Sequence, residues 1–345
     1  MTQHETRSTP PSSVSTPPSM PPASMPPASM KAIVFDEPGD PSVLRLADVP
    51  TPVRVGSEVL VRVLAAGVNP IDAKTRAQSG VSVAIPLYPA VIGLDFCGIV
   101  VESPYDGHPL KPGDEVYGIT AAPRAFGSYA QYVSVPSLQV ARKPRRLTPI
   151  EAGAVPTAAL TAWGLVVDLA KAHEGQRMLI HAGAGGVGHL AVQLAAYFGA
   201  RVIATTSTAN VSWLRELGAE EVIDYTTTRF EDRVSDVDVV IDLVGNVHDN
   251  TGTRSLAVLR HGGLIISVPT GGWPGLAAEA EEAGVRYSGF AVSPDAACLS
   301  IVSRLIDSGD LHVRVSEIFP LEDAADAHAL LERGHTRGKI VLEVS

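Results

Sequence analysis

Only two cysteines, Cys97 and Cys298, occur in 345 residues. That excludes a disulfide framework and a structural zinc site built from several thiolates. The usage fits a reducing compartment, so a cytoplasmic location is expected. Aromatic residues are also scarce, at 5%. Basic residues are outnumbered by acidic ones, 27 to 37, giving a formal net charge of −10. A general nucleic-acid surface needs clustered Lys and Arg, so nucleic acid is not an expected partner. The basic run ARKPRR (141–146) reads as a solvated loop. No apolar run approaches the roughly 20 residues that span a bilayer, so no membrane partner is expected.

The composition that remains is 45% hydrophobic, enough for a sizeable core. The length suggests about two domains. Residues 1–29 stand apart. They are rich in Ser, Thr and Pro, repeat MPPAS in tandem, and contain no apolar h-region. Such a segment buries too little apolar surface to offset its ordering entropy. Two readings stay open: a disordered tail, or a start of translation at Met30 or Met20.

From Met30 the sequence becomes globular. MKAIVFDEPG, EVLVRVLAAGV, CGIVVES and YAQYVSV are rich in Val and Ile and separated by Gly, Pro and Asp. They predict short strands in a β-rich first domain. TPIEAGAVPTAALTAWGLVVDLA then predicts a helix, with Thr148 as N-cap and Glu151 three residues on. After it, strands and helices alternate: RMLIHA, GVGHLAVQLAAYFG, RVIATT, NVSWLRELG, VDVVIDLVG, GGLIISVP. This alternation predicts βαβ units and a parallel sheet covered by helices.

Within that region lies HAGAGGVGHLA (181–191). Gly183, Gly185 and Gly188 fit G-x-G-x-x-G, after a strand and opening an amphipathic helix. One glycine permits the tight turn, one lets backbone N–H groups approach a pyrophosphate, and one allows close strand–helix packing. The helix N-terminus adds partial positive charge. Gly183, Gly185, Gly186, Val187 and Gly188 are thus expected to bind a dinucleotide. A free ribose 2′-OH calls for an acid about 20 residues on. The second strand ends instead in Thr205, Thr206, Ser207 and Thr208. Hydroxyls donate to a 2′-phosphate that a carboxylate would repel, so NADPH is expected over NADH. No Lys or Arg lies in 205–210; Arg215 and Tyr225 are candidates to help. Ligands in open α/β sheets sit beyond the strand C-termini. That adds Val244 and Gly245 after the fourth strand, Val268, Pro269 and Thr270 after the fifth, and Phe290 and Ala291 after the sixth.

GVNPIDAK (67–74), VIGLDFCGIV (91–100), KPGDEVYG, ALTAW (159–163), AGAGGVG, LGAEEVIDY and TRGKIVLEV follow one another in order. In this the chain resembles the zinc-independent quinone oxidoreductases (zeta-crystallin-like) of the medium-chain dehydrogenase/reductase superfamily. The resemblance implies a bilobal α/β enzyme: a GroES-like β-rich catalytic lobe and a Rossmann lobe with a doubly wound parallel sheet. The expected division is 30–154 for the first part of the catalytic lobe, 155–290 for the Rossmann lobe, and 291–345 for the returning catalytic part. Zinc alcohol dehydrogenases of the superfamily carry Cys where Asn69 stands and His-Glu where Leu94-Asp95 stands. No metal is therefore expected.

Without a Lewis acid for an alkoxide, the implied reaction is hydride delivery to a quinone or an activated, α,β-unsaturated carbonyl compound. Two alternatives stay open. One is an enoyl-thioester or polyketide-tailoring enone reductase. The other is a non-catalytic NADPH-binding redox sensor or structural protein. Asn69 is expected to orient substrate or nicotinamide, or else serves as a turn residue before Pro70. Thr161 matches the residue that approaches the nicotinamide in this family. Lys339, in GKIVL, is expected to reach back to the cofactor. His181 and Cys97 read as packed core residues. Phe126 and Tyr129 are candidates to line a flat apolar acceptor pocket. The family leaves a homodimer open, through GGLIISVPTGG as sheet edge.

Overall fold

The computed structural model describes residues 26–85, 87–120, 127–269 and 271–345. Most of the 1–29 tail, Phe126 and Thr270 thus lie outside the described residues.

The predicted β-rich part forms two sheets, antiparallel except for the parallel pair Val315–Pro320 and Lys339–Glu343. Ser29–Phe35 runs between Arg45–Pro50 and Ala90–Val91. A larger sheet is ordered Val315–Pro320, Lys339–Glu343, Glu58–Val68, Asp95–Glu102, Glu115–Ile119, Val140–Arg142, with Tyr132–Pro136 also paired to Glu58–Val68. Glu58–Val68 is buried along most of its length and ends in small residues, AAGV. The reason is close cover. A Cβ on Gly67 would fall 2.5 Å from the Gly153 carbonyl oxygen and 2.9 Å from the Asp95 Cβ.

The C-terminal strand closes the chain onto this sheet, Ile340 pairing with Val68 and Val341 with Gly67. That register carries Lys339 to the end of the strand that precedes Asn69.

Six parallel strands form the second layer: Glu221–Asp224, Arg201–Thr206, Arg177–Ile180, Val237–Asp242, Leu259–Ser267, Arg286–Gly289. In chain order this is 3-2-1-4-5-6, the dinucleotide-binding arrangement with its switch point between the first and fourth strands. The apolar runs MLI, VIA, VVI and LII are buried because helices cover both faces. One expectation fails here. GGLIISVPTGG supplies an inner strand, not an edge, since Leu259–Ser267 is paired on both sides. The edges of this sheet are Arg286–Gly289 and Glu221–Asp224, each paired on one side only.

The predicted helix from Thr148 is split into Pro149–Gly153, Pro156–Trp163 and a π-helical turn, Gly164–Leu169. Pro156 has no N–H to continue the first segment's ladder, so it starts a new one. The capping box itself forms. Glu151 N–H donates to Thr148 Oγ1 at 3.3 Å, and Thr148 N–H to Glu151 Oε2 at 2.9 Å. Thr148→Ala should lower stability by about 1 kcal/mol. Urea unfolding should show it as a lower midpoint at unchanged m.

Candidate active site

The glycine turn leaves Arg177–Ile180 at the centre of the parallel sheet and enters the helix Gly188–Tyr197. Its glycines divide by role. A Cβ on Gly183 would meet Leu214 Cδ1 at 2.9 Å and Ala204 Cβ at 3.1 Å. On Gly188 it would meet the Ala182 carbonyl oxygen at 2.2 Å. Gly188 lets the helix close onto its own strand, and Gly183 makes room for the neighbouring strand and the helix that follows it. Gly185, Gly186 and Val187 are half-buried, and a Cβ on Gly185 would have only the Ala182 oxygen within reach, at 3.2 Å. The open side of the turn, beside a helix N-terminus, fits a pyrophosphate.

Gly186 faces the C-terminal segment. Its Cβ would lie 2.9 Å from Lys339 Cδ, and Gly338 N–H donates to the Ala184 carbonyl at 2.9 Å. Lys339 then runs inward. Its ammonium donates to the Val68 carbonyl at 3.1 Å and to Asn69 Oδ1, and lies 3.5 Å from Asp95 Oδ2. Asn69 Nδ2 donates to that same Asp95 oxygen at 3.0 Å. Asp95 Oδ1 accepts from Thr157 N–H at 2.7 Å. Asn69, Asp95 and Lys339 are all buried. Thr161 lies one turn beyond Thr157 on the same helix face. The structure thus brings Asn69, Lys339 and Gly186 together, with Thr161 on the helix that Asp95 holds.

A second carboxylate adjoins this cluster. Asp72 Oδ2 accepts from Asn69 N–H at 2.9 Å and from the Tyr129 hydroxyl at 3.3 Å, while its Oδ1 has no partner. Burial, reinforced by the Asp95 charge, raises its pKa to about 7, against the Asn69 N–H and Lys339, which lower it. Tyr129 also bonds His328 Nε2 at 3.2 Å. This corrects the expected pocket lining: Tyr129 is fully buried, with its hydroxyl spent on Asp72 and His328.

The hydroxyl cluster at the second strand is divided. Thr205 and Thr206 are buried, and Thr205 Oγ1 bonds His181 Nδ1 at 3.0 Å, so the Thr205 hydroxyl points into the core. His181 also bonds Ser255 Oγ at 2.9 Å, and burial lowers its pKa to about 4, as befits a packed neutral histidine. Ser207 remains half-buried, with Tyr225 exposed beyond it. Thr208 Oγ1 donates to Asp224 Oδ2 at 2.5 Å.

At the switch point, buried Asp242 shapes the loops. Its Oδ1 accepts from Val244 N–H at 2.9 Å and Gly245 N–H at 2.8 Å, and its backbone oxygen from Val268 N–H at 3.0 Å. Pro269 follows Val268. The Phe290 ring packs where a Gly164 Cβ would stand, at 2.3 Å, linking the sixth strand's end to the turn after Thr161. Ala291 is exposed beside it.

Sequence reading missed Asp95, Asp242 and the joining of Asp72 and Tyr129 to His328. A carboxylate inside an apolar strand, as in GLDFCGIV and VVIDLVG, is the signal that points to the first two. A buried charge needs partners.

Residues 56–145 match the alcohol dehydrogenase GroES-like domain family, and residues 217–342 the zinc-binding dehydrogenase family. The chain is 36% identical to 2-methylene-furan-3-one reductase of Solanum lycopersicum, over 91% of this chain and 79% of that one. The quinone oxidoreductase from Coxiella burnetii superposes with a TM-score of 0.86 at 40% identity, over 92% and 100% of the two chains. Escherichia coli quinone oxidoreductase complexed with NADPH gives 0.82 at 28%, over 91% and 99%. The zinc in one family description does not fit these residues. Among the described residues no group of three or more His, Cys, Asp or Glu could hold a metal ion. Asp95 is already spent on Asn69, Lys339 and Thr157. The chain belongs to the zinc-independent quinone oxidoreductase group of the medium-chain dehydrogenases/reductases, a bilobal fold of GroES-like and Rossmann lobes.

Proposed function

We propose that this protein is an NADPH-dependent oxidoreductase that delivers hydride to a quinone or an α,β-unsaturated carbonyl compound without a metal. The observation that carries the reading is Lys339, which joins the glycine turn to Asn69. Relatives support the acceptor class: the tomato protein is named for reducing an enone, the Coxiella protein for quinones.

When bound, NADPH supplies a hydride. The chain's residues do the rest. The Gly185–Val187 backbone and the helix N-terminus hold the pyrophosphate. Val244, Gly245, Val268, Pro269, Phe290 and Ala291 would line the far side of the cofactor, and Ser207 and Tyr225 would hold its 2′-phosphate end. Thr161 and Asn69 would border the nicotinamide. Each turnover takes up one proton, because hydride addition leaves an oxyanion on the acceptor. The lobes divide at 30–154, 155–290 and 291–345. No helix among the described residues is long and apolar enough to cross a membrane. The cytoplasm is the proposed compartment.

Nicotinamide absorbance tests the reading directly. Metal-stripped protein in chelator is offered NADPH or NADH with a naphthoquinone and, separately, a simple enone. Fast NADPH oxidation that survives the chelator is expected. NADPH that quenches protein fluorescence without turnover on either acceptor would instead establish a binding protein.

A further inference from the structure

Asp95 is fully buried, yet three segments distant in sequence converge on its two oxygens. Oδ2 accepts from Asn69 Nδ2 at 3.0 Å and faces the Lys339 ammonium at 3.5 Å. Oδ1 accepts from Thr157 N–H at 2.7 Å, at the start of the eight-residue helix Pro156–Trp163. A carboxylate there caps an otherwise orphaned helix N–H and favours the dipole.

The Asn69 amide has two possible orientations, and Asp95 favours one, together with the Gly67 carbonyl, which accepts from Nδ2 at 3.4 Å, and Lys339, which donates to Oδ1. An ionised carboxylate only accepts. It therefore draws the Asn69 NH2 toward itself and turns Asn69 Oδ1 to Lys339, which only donates. The Asn69 backbone N–H is held separately by Asp72 at 2.9 Å. Lys339, so clamped, lays its methylenes against Gly186 in the glycine turn. We infer that Asp95 is the positioning residue of this site: it sets Asn69 and Lys339 and thereby couples the acceptor loop to the cofactor turn. The coupling to cofactor rests on the NADPH reading above; the charge balance of Asp95 with Lys339 does not.

Asp95→Asn keeps the shape and removes the ability to accept on both oxygens. One of its two sides must then present an NH2 to a donor, either Thr157 N–H or the Asn69 amide. The experiment is a double-mutant cycle on the full chain with Asp95→Asn, Lys339→Met and both. Asp95→Asn should raise the NADPH KM about tenfold while the acceptor KM moves less than twofold. Lys339→Met should do the same, and the double variant should be less than twofold worse than either. Asp95→Glu should recover at least part of the NADPH KM. Additive effects, an unchanged NADPH KM in a folded protein, or equal changes in both KM values would overturn the inference.

Melting temperature gives an arm independent of cofactor. Lys339→Met leaves the Asp95 carboxylate buried without its cation, so adding Asp95→Asn should raise the melting temperature of Lys339→Met. This holds even if Asp95→Asn alone does not fold. A double variant that melts below Lys339→Met would overturn the pairing. If wild-type protein binds no NADPH, the functional reading fails while this arm still decides on Asp95.

Discussion

Gly188→Ala should abolish NADPH binding and destabilise the fold together. The new Cβ would sit 2.2 Å from the Ala182 carbonyl oxygen, 2.8 Å from Gly183 Cα and 2.9 Å from the Gly183 carbonyl carbon. All three are backbone atoms, so no side-chain rotation relieves the clash. The helix must lift from the strand it packs on, and its N-terminal N–H groups leave the turn. Overpacking of this kind costs about 1–3 kcal/mol. Affinity should drop at least about a hundredfold, since each 1.4 kcal/mol of lost contact is tenfold and the whole turn is displaced. Gly185→Ala separates the two effects. Its Cβ meets only the Ala182 oxygen, at 3.2 Å, and otherwise enters the open space of the turn. Binding should weaken while the melting temperature changes little. Fluorescence titration with NADPH and thermal unfolding of both variants make the comparison. Full NADPH affinity in Gly188→Ala would show that the turn does not hold the cofactor.

Asp72→Asn should change how stability depends on pH. Asp72 is held at a pKa of about 7 in the folded chain, against an ordinary value of 3.8. The groups around it are Asp95, Lys339, the Asn69 N–H and the Tyr129 hydroxyl, with Arg76 and His328 behind Tyr129. A raised carboxyl pKa means that the folded state binds the extra proton between these two values. Its contribution is most favourable below 3.8, declines as pH rises, and levels off above about 7. Three buried histidines act in the opposite sense. His181 and His189 are lowered to about 4 and His328 to about 3, all by burial, so each destabilises the fold as pH falls below 6.5. They are common to both proteins and cancel in the difference. Between pH 5 and pH 8, wild type should lose about 3 kcal/mol relative to Asp72→Asn, about two pH units at 1.4 each. Urea unfolding of both proteins at the two pH values measures it. A difference independent of pH would mean that Asp72 is ionised throughout.

Much of the site is legible in the order of residues along the chain. Thr148 and Glu151 announce their cap because both partners lie within one helical turn. The glycine turn is nearly as local: 185 and 188 matter through clashes with atoms at 182–183, and only 183 answers to Ala204 and Leu214 farther along the chain. The hydroxyl cluster shows where such reading stops. Four side chains in a row at 205–208 look alike in sequence, yet Thr205 turns inward to His181 and Thr208 to Asp224, because each faces a different element. The aromatic ring of Tyr129 suggests a pocket wall, whereas a buried carboxylate and a histidine claim its hydroxyl.

Periodicity, caps and glycine spacing are short-range matters of sterics and hydrogen bonding among consecutive residues. They alone determined the parallel sheet and the dinucleotide turn as candidate elements, while the return of the last strand was implied by the family resemblance. The meeting of Asn69, Asp95 and Lys339 belongs to the tertiary structure. Asn69 lies 26 positions from Asp95 and 270 from Lys339. Only the pairing of Ile340 with Val68 brings the lysine to the asparagine, and only burial makes the charges answer to one another. In water those groups would be screened and indifferent; in a dry interior each must find its partner.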